Sequence, residues 1–227
     1  MRALLLDLDD TLLDFHAAER FALSETLKEF GIPPKEEYVT AYSKLNHEMW
    51  QKMEAGGITK DELRATRFPL FLESVGLRAD GQKMAKGYES RLTDSAFTVE
   101  GAIPTLEILK KDYALYALSN GTSAVQRNRI LKSGLQPYFQ GIFLSEELGY
   151  AKPDRGFFNA VFGVIPFAPN QTVMVGDSLS ADIAGANNYG IRSVWFNRFG
   201  RGNHTGVKVD VELRNLRDLP LLLPYLF

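Results

Sequence analysis

Cysteine is absent from the 227 residues. That excludes disulfides, thiolate zinc sites and a thiol nucleophile, and it fits a reducing compartment such as the cytoplasm. Histidine is scarce: His16, His47 and His204 stand far apart with no ligand spacing, and each reads as a surface or capping residue. An excess of one charge is also missing. Lys and Arg number 26 against 28 Asp and Glu, a formal net charge of -2, so nothing advertises a nucleic-acid polymer as partner, and any phosphate must be welcomed locally. No stretch approaches the ~18 apolar residues of a membrane helix, and the run ahead of Asp7 is too short for a signal peptide. There is no internal repeat or low-complexity segment. With 45% hydrophobic and 24% charged residues, the composition is that of an ordinary globular chain able to bury a full core. The expectation is a cytoplasmic protein, monomer or homodimer, that works away from membranes and nucleic-acid polymers.

What is present is concentrated at the start. In Leu4-Leu5-Leu6-Asp7-Leu8-Asp9-Asp10-Thr11-Leu12 an apolar strand runs into three acids and a threonine. A strand buried throughout cannot carry those acids, so it should end near Asp7 and present Asp7 and Asp9 at its carboxyl edge, where open α/β sheets place ligands. Two carboxylates this close stay ionised together only if a cation or several donors sit between them, and a hard divalent ion such as Mg2+ suits such oxygens. A plain strand-to-loop exit with solvated acids is the rival reading, and these nine residues do not exclude it.

Helical spacing follows over residues 17–30, 36–54, 59–75 and 81–92, with Thr59 as an N-cap and Gly76 as a C-cap. Residues 15–94 read as an all-helical inserted cap domain between two parts of a core, 1–14 and 95–227. The alternative is a large helical half of one continuous core. From Gly101 helix and strand alternate: helices over 102–111, 124–133, 153–164 and 179–188, and strands over 113–118, 142–144, 172–175 and 191–196. Val207, Val209, Val211 and Leu213 add a period-two stretch before a leucine-rich end that should dock on its own core. The fold class is α/β, a doubly wound parallel sheet with helices on both faces and an inserted helical domain.

Three of these strands end in polar residues of complementary kinds: Asp7 and Asp9, then Ser119 and Asn120, then Asp177 and Ser178. In such a sheet all carboxyl ends open on one edge, so distant residues can meet around one ligand. Lys152, just before Pro153 at an expected helix start, adds positive charge. Each piece has a bland reading: turn chemistry for Ser119-Asn120-Gly121, a helix start for Lys152-Pro153-Asp154, and cap or first-turn acids for Asp177, Ser178 and Asp182. The glycines at 200, 202 and 206 flank Arg198 and Arg201 without strand-turn-helix context, which reads as a mobile loop and not a dinucleotide fingerprint.

Together, Asp7-Leu8-Asp9-Asp10-Thr11, Ser119-Asn120, Lys152-Pro153 and Gly176-Asp177-Ser178 with Asp182 resemble the four motifs of the haloacid-dehalogenase-like (HAD) hydrolase superfamily, in the right order. The helical block sits where the helical-cap phosphatases of that superfamily carry theirs. The start of the chain, Met49-Trp50, Arg67-Phe68 and the stretch from Gly176 to Ile183 are similar to the branch of pyrimidine nucleoside monophosphate 5'-nucleotidases.

The resemblance implies a hydrolase of small phosphate esters with Mg2+ as cofactor. Asp7 would be the nucleophile that becomes an aspartyl phosphate, and Asp9 the general acid and base. Asp7, the Asp9 carbonyl and Asp177 would hold the metal, supported by Ser178 and Asp182. Asp10, Ser119, Asn120 and Lys152 would form the phosphate-binding set, and Trp50 and Arg67 would set specificity from the cap. A haloacid dehalogenase needs no acid at Asp9, because halide leaves unprotonated. A sugar phosphomutase would keep the same acids, and a binding module would need none of them.

Overall fold

The computed structural model describes residues 2–227. In β1 (Arg2–Asp7) the side chains alternate: Leu4 and Leu6 enter one hydrophobic cluster, Ala3 and Leu5 another. This period-two burial on both faces makes the leucine run a covered strand. It is followed by β2 (Tyr113–Ser119), β3 (Gly141–Leu144), β4 (Thr172–Gly176), β5 (Arg192–Phe196) and β6 (Val211–Leu213). All pairings are parallel, in the order β3-β2-β1-β4-β5-β6. The chain works outward from β1 to β3 and then restarts on the other side of β1 with β4. That reversal is a topological switch point, the crevice where sheets of this kind bind ligands.

The chain divides into two compact units, one of residues up to Asp14 with Ala96–Phe227 and one of Phe15–Ser95. The second contains α1 (Phe15–Glu29), α2 (Glu36–Glu54), α3 (Lys60–Ser74) and α4 (Gly81–Asp94). Its core gathers Leu23, Leu27, Tyr42, Phe68, Phe71, Met84 and Tyr88. The α3 start is fixed by a reciprocal cap, in which Thr59 Oγ1 accepts from the Glu62 N–H while Glu62 accepts from the Thr59 N–H. Through this core runs a polar chain: Arg67 Nη1 donates to Asn46 Oδ1 at 2.7 Å, and Asn46 Nδ2 donates to Glu19 Oε1 at 2.7 Å.

In the first unit, the segments on either side of the helical insertion pair antiparallel. The Asp14 N–H donates to Phe97 O at 3.0 Å and the Val99 N–H to Leu12 O at 2.9 Å. Then come α5 (Ala102–Leu109), α6 (Ser123–Lys132), α7 (Ser145–Leu148), α8 (Arg155–Phe162), α9 (Ala184–Tyr189) and α10 (Leu219–Leu222). Ala102, Leu106 and Leu109 of α5 cover one sheet face together with Leu219, Leu223 and Leu226, so the leucine-rich end docks on its own core. Phe157, Phe158 and Val161 of α8 cover the other face.

Three expectations shift. The helix expected from Pro153 begins at Arg155, because the Asp154 carboxylate accepts from the Gly156 N–H and makes Asp154 the N-cap. The helix expected over 179–188 opens as a wide π turn, Leu179–Ile183, before α9. Of the period-two stretch only Val211–Leu213 is strand, since the Asp210 carboxylate takes the Ser193 N–H at 2.9 Å in place of a main-chain partner. Among the described residues, no helix is long and apolar enough to cross a membrane.

Candidate active site

Because β1 lies between β2 and β4, its last residue, Asp7, sits at the switch point, opposite Leu118 in the register. The Asp7 carboxylate accepts from Lys152 Nζ at 2.7 Å on one oxygen and from Thr11 Oγ1 at 3.0 Å on the other. Lys152 Nζ also donates to Asp182 Oδ1 at 2.7 Å and to Leu118 O at 3.3 Å. An ammonium that is 2% exposed survives only with such partners. Asn120 places it: the side-chain amide grips the Lys152 backbone on both sides, donating to its carbonyl and accepting from its N–H, each at 2.8 Å. The two motifs read separately in the sequence are thus one clamp.

Carboxylate oxygens of Asp7, Asp177 and Asp182 lie within 4.8 Å of one another. Their closeness depends on Gly176, where a Cβ would stand 2.2 Å from Asp182 Oδ2. Ser178 caps the following turn, its Oγ accepting from the Ala181 N–H at 3.1 Å while its own N–H donates to Asp182 Oδ2 at 3.1 Å. Asp177 is anchored from behind, its carbonyl accepting from Trp195 Nε1 at 2.9 Å.

The electrostatics are unbalanced. Burial, and then Asp182, push the Asp7 carboxyl up to about 8 despite Lys152, and burial with Asp7, Asp10 and Asp182 around it holds Asp177 well above the usual carboxylate range. Burial opposes the Lys152 charge, but Asp182 and Asp7 more than offset it and raise its pKa above that of a free lysine. Three acids around one ammonium leave negative charge uncompensated, and all the donors are hard oxygens, so the set fits a divalent cation such as Mg2+. Asp182 already gives one oxygen to Lys152 and the other to the Ser178 N–H, which suits it to support from behind more than to direct ligation.

Asp9, the second acid of the turn, meets two residues that the sequence reading had not singled out. Gln126 Nε2 donates to Asp9 Oδ2 at 2.7 Å and to Ser119 Oγ at 2.7 Å, and Arg129 Nη1 forms an ion pair with Asp9 Oδ1. The only sequence signal was a Gln and an Arg three apart, one helical turn, just after Ser119-Asn120.

Asp10 departs from the phosphate-binding role expected of it. It sits at φ 58°, its N–H donates to Leu13 O at 2.7 Å, and its carboxylate accepts from Arg198 at 2.6 Å. Both its donor and its charge are committed to shaping the turn. Arg198, expected in a mobile loop, also binds Asp14 at 2.9 Å and is only 16% exposed as a side chain. His16, His47 and His204 are exposed, as surface residues should be. In the helical unit, Trp50 is half-buried with Lys60 Nζ 6.0 Å from its ring centroid. Arg67 is buried against Tyr42, Phe68 and Tyr88, 5.7, 6.0 and 5.1 Å from their ring centroids, which gives it partners inside its own unit.

Known proteins resemble this chain along most of its length. The chain is 41% identical over 218 residues to the pyrimidine 5'-nucleotidase PynA of Streptococcus pneumoniae, covering 95% of this chain and 92% of PynA. It is 27% identical to the pyrimidine 5'-nucleotidase YjjG of Escherichia coli, covering 96% of this chain and 95% of YjjG. The magnesium-bound crystal structure of the HAD-hydrolase YfnB from Bacillus subtilis superposes with a TM-score of 0.93 at 37% identity, over 98% of each chain. The model of the haloacid dehalogenase-like hydrolases matches residues 1–190, a span that takes in every strand-end acid, the lysine and the serine of the crevice, and the chain belongs to that hydrolase family.

Proposed function

We propose that this enzyme is a Mg2+-dependent phosphatase that hydrolyses nucleoside 5'-monophosphates, pyrimidine ones foremost, through an aspartyl-phosphate intermediate. The observation that carries this reading is Asp7 at the switch point, with Lys152 on one oxygen and the Asp177 and Asp182 carboxylates beside it. The names of PynA and YjjG support the substrate class.

In the first step an Asp7 oxygen attacks phosphorus in line as the ester P–O bond breaks, and Asp9, carrying the proton it took from water in the preceding turnover, passes it to the departing alkoxide. In the second, Asp9 takes a proton from water, the water oxygen attacks phosphorus, and the acyl-phosphate bond cleaves to release phosphate and restore Asp7. Asp7, Asp177 and the Asp9 carbonyl would hold Mg2+, which when bound neutralises these acids and keeps Asp7 ionised near neutrality. Lys152 and the Ser119 hydroxyl face the phosphoryl oxygens with positive charge and a donor. Asp9 favours phosphate over halide chemistry, because alkoxide needs a proton on leaving.

The test is a panel of nucleoside monophosphates, sugar phosphates and a 2-haloacid, each with Mg2+ or with EDTA. The expected outcome is release of phosphate from pyrimidine nucleotides at least about tenfold faster than from purine ones, a difference of ~1.4 kcal/mol in transition-state binding, and none with EDTA. Equal rates across the panel would remove the nucleotide assignment, and halide release without phosphate release would overturn the phosphatase reading.

A further inference from the structure

Gln126 and Arg129 are each 1% exposed, an unusual burial for an amide and a guanidinium in a helix beside a sheet. Their bonds leave little freedom. Gln126 Nε2 has two hydrogens, and both are given away: one to the Asp9 carboxylate, one to Ser119 Oγ. Its Oε1 accepts from Arg129 Nη1 at 3.1 Å, and Arg129 Nη1 also pairs with the other Asp9 oxygen. The amide can be turned only this way, since reversal would set its NH2 against the Arg129 guanidinium, donor against donor.

Ser119 Oγ accepts a second bond from the Gly121 N–H at 2.9 Å. A hydroxyl has two acceptor sites and one hydrogen. With both lone pairs taken, the Ser119 O–H is left as a donor, the polarity a phosphoryl oxygen requires. The chain is shaped to admit the amide: a Cβ on Gly121 would lie 2.8 Å from Gln126 Cγ and Cδ and 2.9 Å from Nε2.

We propose that Gln126, braced by Arg129, is a positioning residue that locks the Asp9 carboxylate in place and fixes the Ser119 hydroxyl as a donor, so that proton transfer and phosphate binding are set by one amide. This rests on the phosphatase reading, in which Asp9 serves the leaving group and Ser119 the phosphate.

The experiment compares kcat/KM, which reports the ester-cleaving step, for p-nitrophenyl phosphate and for the fastest alkyl phosphate of the panel, in Gln126→Ala and in Gly121→Ala. Gly121→Ala pushes on the amide while keeping the Asp9 and Ser119 side chains and the backbone N–H at position 121. Nitrophenolate leaves without a proton and an alkoxide does not, so loss of Asp9 placement lowers the alkyl-to-nitrophenyl ratio, by about tenfold or more given the 10²–10⁴ that a general acid contributes. In an Asp9→Asn background, adding Gln126→Ala should leave that ratio unchanged. Exposed Asn128 on the same helix provides the control, Asn128→Ala, with an unaltered ratio. Equal loss on both esters, or a further fall of the ratio in the double variant, overturns the proposal. A crystal structure of Gln126→Ala supplies a readout free of turnover: the Asp9 carboxylate should shift toward Arg129, and an unmoved Asp9 refutes the lock whatever the rates. Absence of wild-type turnover on both esters would instead count against the phosphatase reading.

Discussion

Lys152 carries more of the site than any other single residue. Among the described residues it is the one ammonium bonded to both Asp7 and Asp182, and breaking a buried pair from one side costs about 3–5 kcal/mol because the remaining charge is stranded. Lys152→Met should lower stability by that order in metal-free urea unfolding, with part of the loss recovered on adding Mg2+. Asp7→Asn is the opposite case. It removes one of several repelling acids, so the melting temperature should hold or rise while hydrolysis falls by about 10⁴-fold or more, as loss of a nucleophile does elsewhere; retained turnover would refute the nucleophile. The acids, the serine and the lysine were legible because each stands where a strand runs out into polar residues. Gln126, Arg129 and Arg198 were not: their meaning comes from partners 117, 120 and 188 positions away, and a polar residue on a helix or in a glycine-rich loop looks like solvated surface until those partners are known. Asp10 misled for a related reason, since an acid inside a motif gives no sign that its charge is consumed by the turn itself.

Among the elements, the helical unit holds an ionisable group at a cost. Burial raises the Glu19 pKa above its ordinary 4.5, against the hydrogen bonds from Ser43 and Asn46 and the Arg67 charge that lower it. A group with a raised folded-state pKa contributes fully below its unfolded value of 4.5 and loses that contribution as pH climbs through the folded one. Wild-type melting temperature should therefore drop as pH rises above 4.5 by more than that of Glu19→Gln, whose neutral amide oxygen still accepts from Asn46. Parallel pH profiles for the two proteins would refute this. Helix positions in this unit were readable from periodicity, because α1 to α4 carry their apolar residues on one face. Ends were less so. Asp154 and Asp210 each divert a main-chain N–H to a carboxylate, and a side chain that substitutes for main-chain pairing moves an element boundary without altering the hydrophobic pattern.

For the molecule as a whole, the sheet order could be inferred only as a class. Alternating strands and helices require parallel crossovers, but which strand flanks β1 on each side is decided by packing of both faces at once. The surplus of acids at the switch point predicts linkage between cation and fold. Mg2+ at about 100 times its dissociation constant should stabilise the protein by about 2.7 kcal/mol, and Asp177→Asn should blunt that gain; an unfolding midpoint indifferent to Mg2+ in the wild type would argue against a cation there. The paired segments at Asp14–Phe97 and Leu12–Val99 have a practical corollary. Entry and exit of the insertion are stitched side by side, so the gap left by deleting Phe15–Ser95 could be spanned by a two- or three-residue glycine-serine turn, as in an ordinary hairpin. Such a miniature should still unfold cooperatively and still take up magnesium, while losing any preference among nucleotides that the deleted helices impose. The same splice point would then serve as a joint at which one insertion can be exchanged for another while the crevice acids stay on the sheet that carries them.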